Sequence, residues 1–460
     1  MLTRRTLLRF AAVSVPVVLT GCGGASDEEV GVLPEDLPES VQRFPRTPIA
    51  GDMTDTRVVL VFHVADDSPV TLHVWNDAGV VVDQAIDSSG DGFHKVMIDD
   101  LKPGTAYQYA VFTSEDRSLI CQFRTAPSEG DLSPVTFALL ACVGQGTILP
   151  DYFMPENMPV PTVEPFQWEI FTQLDTEPID AFVHLGDQGY FDFVWSEEGG
   201  EVDAYLHAWG FYHGGGYRDV YSKAGLYATW DDHEAIDNGS VDPWDMSAED
   251  AVKMANAHEA WFKVVPIDAM APGDAPVWRG FRWGHTVELL LLDCRYELTD
   301  AQLVSPEQLQ WLVDRIAASP CRFICVATPK PFTQITTSQQ LMSDNADRWE
   351  TFPDQRAAVS DLLDAEGLNN VLFVTGDIHM NYLGRANIEA STVSESVWEI
   401  CCTSGNYSPL ASGLSTEQFD FVSPDPHVPV LTFDPASDSV HVAFYGVDGS
   451  VAFEQTLTDV

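Results

Sequence analysis

The chain has 460 residues, 45% of them hydrophobic and 11% aromatic, which is folded-protein composition with enough length for two or three domains. Lys and Arg total 23 against 70 Asp and Glu, a formal net charge of −47. A surface of that sign repels polynucleotides and anionic lipid, so a nucleic-acid-binding role is excluded. The same carboxylate supply suits hard cations.

In chain order, residues 1–21 read as an export address. Arg4-Arg5 precedes the apolar stretch Ala11–Leu19, too short to span a bilayer, and Leu19-Thr20-Gly21-Cys22 follows. The paired arginines resemble a twin-arginine signal and the tetrad a bacterial lipobox. These imply a periplasmic or cell-surface lipoprotein, held to the membrane only by a lipid on Cys22. Residues 22–44 are acidic and aperiodic, as in a tether.

Residues 45–127 alternate. The runs Val59–Val64, Val70–Val74, Val96–Ile98, Tyr107–Val111 and Leu119–Phe123 predict strands of a small β-sandwich. Leu101–Tyr107 resembles the tyrosine-corner turn of fibronectin type III domains. After the linker Ser128–Ser133 come near-continuous apolar runs: Val135–Ala141, Ile179–Leu185, Leu226–Trp230, Val287–Leu292, Arg322–Ala327 and Val371–Thr375. Such runs predict strands covered on both faces. Helices are expected over Ala248–Val265, from Ser305 as N-cap with Pro306 in the first turn, and over Asp354–Glu366 with Gly367 as the stop. Residues 426–460 are expected to be a C-terminal β-hairpin, Ser439–Leu457 turning at Asp448-Gly449, packed on the main body and adding strands to it.

The residues just past those strands carry the chemistry. They are Cys142, then Asp187 with Tyr190, then Asp231-Asp232-His233-Glu234, then Asp293-Cys294-Arg295, and finally Gly376-Asp377-Ile378-His379. Ligands of open α/β sheets bind at strand carboxyl ends, so these groups should converge in one crevice. A bridging carboxylate with terminal O, N and S donors is what a pair of cations 3.5–4 Å apart requires. Seven cysteines besides Cys22 make an odd set, with Cys142 the candidate free or liganded thiol. His63, His73, His94 and His207 have no partners in the pattern and read as structural.

The set Ala141-Cys142, Gly186-Asp187-x-x-Tyr190, Trp230-Asp231-Asp232-His233-Glu234, Leu292-Asp293-x-Arg295 and Gly376-Asp377-x-His379 resembles the PhoD-like alkaline phosphatases, within the calcineurin-like metallophosphoesterases. The resemblance runs over roughly 133–425 and implies an α/β fold. Its centre is a β-sandwich flanked by helices, preceded by a fibronectin type III-like all-β domain. By that resemblance Cys142, Asp187 and Tyr190 would bind Fe3+, Asp187 reaching a second cation, Ca2+ or another divalent ion. Asp232, Asp377 and His379 would complete the metal shell, and His233 would contact the scissile phosphate. Arg295 is carried as a catalytic candidate, either steadying an anionic substrate or pairing with an Asp. Asp231 and Asn238 also match family positions, and Gln188 and Gly189 are expected to shape the pocket wall. The implied activity is hydrolysis of phosphate esters by metal-bound hydroxide. Two alternatives are a phosphodiesterase or phospholipase D on the same scaffold, and a non-catalytic calcium-binding surface lipoprotein.

Overall fold

The computed structural model describes residues 34–144, 169–172, 174, 178–191, 201–236, 246–269, 271–335, 347–387, 397–405 and 419–460. The signal, Cys22 and Asn238 lie outside the described residues.

Seven strands make the N-terminal sandwich: β1 Ile49–Gly51, β2 Val58–His63, β3 Val70–Asn76, β4 Gly79–Ile86, β5 Phe93–Ile98, β6 Ala106–Phe112 and β7 Cys121–Arg124. They divide into a sheet ordered β4-β3-β6-β7 and a set ordered β1-β2-β5. The Tyr107 hydroxyl accepts the Lys102 amide at 2.9 Å, which is the tyrosine corner foreseen from Leu101–Tyr107. β4 has no sequence signal because nearly all of it faces solvent and shows no alternation.

The body contains β8 Val135–Leu140, β9 Ala181–Leu185, β10 Gly225–Thr229, β11 Arg279–Trp283, β12 Val287–Leu291, β13 Phe323–Ala327, β14 Val371–Thr375, β15 Asn381–Arg385, β16 Trp398–Cys401, β17 Phe419–Ser423, β18 Val428–Asp434, β19 Ser439–Tyr445 and β20 Val451–Leu457. One sheet runs β20-β19-β18-β8-β9-β10-β1-β2-β5, the other β11-β12-β13-β14-β16-β15-β17. Two expectations change here. The sandwich is not separated from the body: β1 pairs in parallel with β10 at Gly51 and Leu226, so half of it extends the first body sheet. A Cβ on Gly51 would lie 2.4 Å from Pro266 Cγ and 2.7 Å from the Leu226 carbonyl, so the seam needs glycine. The C-terminal segment is a three-stranded meander, not a hairpin alone. Its extra strand β18 pairs with β8 and makes the segment integral to the first sheet.

The two large sheets face each other. Phe137 and Leu139 of β8 point into the shared core with Trp283, Phe323 and Phe433 from both sheets. Their neighbours Ala138 and Leu140 point outward against the helices Val202–Gly214 and Ala248–Val264. On the far sheet Leu289 and Leu291 face inward, while Leu290 and Leu292 meet the helices Pro306–Ala318 and Pro353–Glu366. Continuous apolar runs are therefore obligatory, each strand burying both faces. The caps match their chemistry: Ser305 Oγ accepts from Gln308 N at 3.1 Å behind Pro306, and Gly367 ends its helix at φ 62°. All seven described cysteines are buried free thiols, and among the described residues no helix is long and apolar enough to cross a membrane.

β8, β9 and β10 are mutually parallel, as are β12, β13 and β14, so one rim of the double layer collects six strand ends. Cross-links join the sheets at that rim. Thr229 Oγ1 donates to the Leu292 carbonyl at 2.6 Å, Trp230 Nε1 donates to Asp293 Oδ1 at 3.1 Å, and Ser404 N donates to the Ala141 carbonyl at 2.8 Å.

Beneath the rim, His184 is fully buried with Nε2 2.7 Å from the Tyr217 hydroxyl, and burial pushes its pKa down to about 3. In the unfolded chain it titrates near 6.5, so between these values the unfolded state binds the proton first. The stability tied to neutral His184 is whole above about pH 6.5 and is lost as pH falls toward 3, by up to about 1.4 kcal/mol per pH unit. Urea unfolding of wild type should therefore lose stability between pH 6.5 and 4 more steeply than His184→Gln; equal slopes would contradict this.

Candidate metal centre

Four of the residues that follow strand ends are non-glycine residues with left-handed backbone: Cys142 at φ 47°, Asp187 at 56°, Asp377 at 70° and His379 at 52°. Such conformations cost about 1–3 kcal/mol each and persist where surroundings over-determine them. The surroundings are specific. Cys142 N and Val143 N donate to the Gly186 and Asp187 carbonyls, both at 3.3 Å, locking the first two loops together. Gly376 packs so closely that a Cβ would sit 2.9 Å from Ala141 Cβ and 3.7 Å from Cys142 Sγ.

The loops bring ligand atoms into three groups, each with its atoms within 4.8 Å of one another: Cys142, Asp187 and His379; Asp187, Asp232 and His233; and Asp231, Asp232 and Asp377. Asp187 is common to the first two groups. The Tyr190 hydroxyl donates to Asp187 Oδ2 at 3.2 Å and lies 2.9 Å from His379 Nε2, so it joins the first group. Its ring stacks on His233 at 4.0 Å and 23°. Cys142, Asp187, Tyr190 and Asp232 are buried, whereas His233, Asp377 and His379 are half-buried and give the cluster its open side.

The third group holds internal cations. Lys330 Nζ lies 2.5 Å from Asp377 Oδ1, 2.9 Å from Asp231 Oδ2 and 3.1 Å from Asp347 Oδ2. Arg295 Nη2 lies 2.8 Å from Asp231 Oδ1, 2.9 Å from Asp347 Oδ2 and 3.6 Å from Asp232 Oδ1. Burial and Arg295 push the Lys330 ammonium down, but the three carboxylates outweigh them and hold it well above its usual range. For Asp347, burial pushes up and Lys330 with Arg295 brings the carboxyl down to about 2. Both cations are fully buried. Of the two uses considered for Arg295, the guanidinium makes the carboxylate pairing here. It has no exposed surface to offer a substrate, so it acts by positioning Asp231 and Asp347.

Glu234 is a second support. Its carboxylate accepts the amides of Asp187 at 3.1 Å, Gln188 at 2.6 Å and Asp231 at 3.0 Å, tying two motif loops to one side chain. Burial raises it to about 7 although those amides pull it down. Gln188 does not shape a pocket wall: it is fully buried, donating to the Thr229 carbonyl at 3.2 Å and accepting from the Tyr221 hydroxyl at 3.4 Å. Gly189 is there for space, since a Cβ would fall 2.3 Å from the Phe191 ring. Asp293 takes the amides of Arg295 and Tyr296 at 3.0 and 2.8 Å and is a turn former. Sequence reasoning missed Lys330 and Asp347. Lys330 had a signal, because it follows the fifth apolar run, the one run left without a polar partner. Asp347 stands in a stretch with none.

The donor set fits a pair of cations. Asp187, Asp231, Asp232, Asp347 and Asp377 put five carboxylates against two fixed cations, and buried Asp187 Oδ1 and Asp377 Oδ2 have no hydrogen-bond partner. Burial, then Asp187 and Asp377, raises the Cys142 thiol well above its ordinary pKa, which a neighbouring cation reverses when thiolate binds it.

A family model described as PhoD-like phosphatase matches residues 163–434, more than half of the chain. The chain belongs to the PhoD-like phosphatase family. Alkaline phosphatase D of Bacillus subtilis (strain 168) is 24% identical over 345 residues, 66% of this chain and 56% of that protein, so this chain spans little more than half the relative's length. A solved structure of PhoD superposes with a TM-score of 0.73 at 20% identity, covering 90% of this chain and 89% of that one. The purple acid phosphatase PPD1 from yellow lupin (Lupinus luteus) seeds gives 0.62 at 13% identity, covering 90% and 74%. Both share the fold, a metallophosphoesterase α/β architecture with an extra β domain. Membership of this phosphatase family implies metal ions, and the clusters above are where the chain can hold them.

Lys330→Met should leave Asp231, Asp347 and Asp377 facing one another without their ammonium. Removing one partner of a buried charge network costs about 3–5 kcal/mol. Urea unfolding of metal-stripped protein at neutral pH should show that loss, and a change under about 1 kcal/mol would contradict the role given to Lys330.

Proposed function

We propose that this chain hydrolyses phosphate esters at a two-cation centre built on Asp187. The observation that carries the reading is that one buried carboxylate belongs both to the group with Cys142, Tyr190 and His379 and to the group with Asp232 and His233. Cys142, Tyr190, His379 and Asp187 would hold the first cation; thiolate and phenolate together favour Fe3+. Asp232, Asp187 and the neighbouring Asp377 would hold the second, an all-oxygen set that suits Ca2+ or another hard divalent ion. Bound there, the cations would acidify a water near neutral pH and offset the charge that builds on phosphoryl oxygens.

The chain's own side chains do the remaining work. His233, half-buried beside Asp187 and Asp232, would donate to a phosphate oxygen and supply a proton to the leaving alkoxide. Tyr190 holds its ring by stacking. Glu234, Arg295 and Lys330 fix the loops, so the carboxylates would meet the cations without rearranging. A P–O bond forms to water as the ester P–O bond breaks, with no enzyme nucleophile required.

Asp187→Asn should lower aryl phosphate hydrolysis by about three orders of magnitude or more and release metal measured by elemental analysis. Tyr190→Phe should abolish a visible phenolate-to-iron charge-transfer band. Comparing an aryl phosphate with its bis-aryl diester separates monoesterase from phosphodiesterase or phospholipase D action. Metal binding with no hydrolysis of either ester would sink the enzymatic reading in favour of a calcium-binding surface protein.

We propose further that the protein leaves the cytoplasm folded by the twin-arginine route and is anchored through a lipid on Cys22, on the strength of Arg4-Arg5 and Leu19–Cys22. Cys22→Ser should release the protein from the membrane fraction and abolish labelling by a fatty-acid probe. Retention in both assays would contradict the anchor.

A further inference from the structure

Arg46 is a buried cation in an acidic protein, yet among the described residues no carboxylate pairs with it. Its Nη2 donates to the Leu206 carbonyl and its guanidinium carbon lies 4.8 Å over the Phe93 ring. Its Nη1 is buried without a hydrogen-bond partner. Three more buried polar atoms share that condition: Thr47 Oγ1, His63 Nδ1 and His213 Nε2. All four residues line one cavity of about 10 Å³ where the segment leading to β1, the sandwich strand β2 and the helices Val202–Gly214 and Ala248–Val264 meet. Its other walls are apolar except for Lys263, whose ammonium pairs with Asp91 at 2.9 Å. No carboxylate lines it, in a chain with 70 acidic residues.

Leaving a guanidinium unpaired in a low-dielectric site is costly, and four orphaned polar atoms around one void add to that cost. All four can act as donors at once. Arginine Nη1 and the threonine hydroxyl carry hydrogens, and each imidazole can place its proton on its unpartnered nitrogen. Burial takes Arg46 down only to about 10, so it stays charged at neutral pH, and burial followed by Arg46 takes His63 down to about 4, so that ring is neutral. A space of about 10 Å³ favours a single small occupant. Water could bridge the donors but would leave the charge uncompensated.

We propose that this cavity binds one monatomic anion of the chloride and bromide class. The ion fastens the sandwich to the helix Val202–Gly214. His213 on that helix is joined to Thr47 by a backbone bond of 3.1 Å, and the adjacent Tyr212 hydroxyl accepts the Tyr190 amide at 2.9 Å. Anion occupancy therefore braces the helix that backs the metal-centre loop.

Thermal unfolding of the full chain in sodium chloride or bromide, against sodium gluconate at matched ionic strength, tests this. A ligand that binds only the folded state raises the midpoint, here by about 2–4 °C. Thr47→Val, a near-isosteric loss of one donor, should need several-fold more halide for the same rise, and Arg46→Met should show none. Because Arg46→Met alters a packed site and can fail to fold, bromide-soaked wild-type crystals give an independent reading. An anomalous peak among Arg46 Nη1, Thr47 Oγ1 and His213 Nε2 is expected. Equal midpoints in halide and gluconate, a Thr47→Val response like wild type, or a cavity without anomalous signal would each overturn the proposal.

Discussion

Electrostatic balance in a largely buried cluster governs the rim where the strands end. Five carboxylates and a thiol converge where six strands end, and burial raises the cost of every uncompensated charge among them. Lys330 and Arg295 offset part of that charge permanently, on the side of Asp231 and Asp347. Among the described residues no lysine or arginine pairs with Asp187, whose Oδ2 lies 3.9 Å from His379 Nε2. A permanent ammonium on one side and unpartnered carboxylate oxygens on the other let the cluster fold while leaving room for the metal ions that the family implies.

Geometry is fixed from behind. Glu234 gathers three amides from two loops, and the Tyr212 hydroxyl caps the amide of Tyr190. The left-handed residues are tolerated because these contacts hold the chain on both sides. Strain, charge and support thus occupy the same few residues, which holds the clustered side chains in fixed positions at the edge of the double sheet.

Much of this was legible in the sequence. Apolar runs buried on both faces announced β8, β9, β10, β12, β13 and β14, and most of the residues that cluster at the rim follow them directly. Less legible were elements whose pattern is set by neighbours. β4 is exposed, and β18 is recognisable only because it pairs with β8. The seam at Gly51 depends on a backbone approach that no periodicity encodes. Lys330 and Asp347 were hidden for a related reason. Their task is to neutralise residues far away in sequence, and that partnership exists only once the strand ends meet.

The direct test of the account is a crystal structure of metal-loaded protein with anomalous scattering recorded at two absorption edges. Two peaks about 3.5–4 Å apart, with the Asp187 carboxylate between them and Lys330 still bonded to Asp377, are the predicted result. A single peak, or a peak among Asp231, Asp232 and Asp377 with the ammonium displaced, would contradict it.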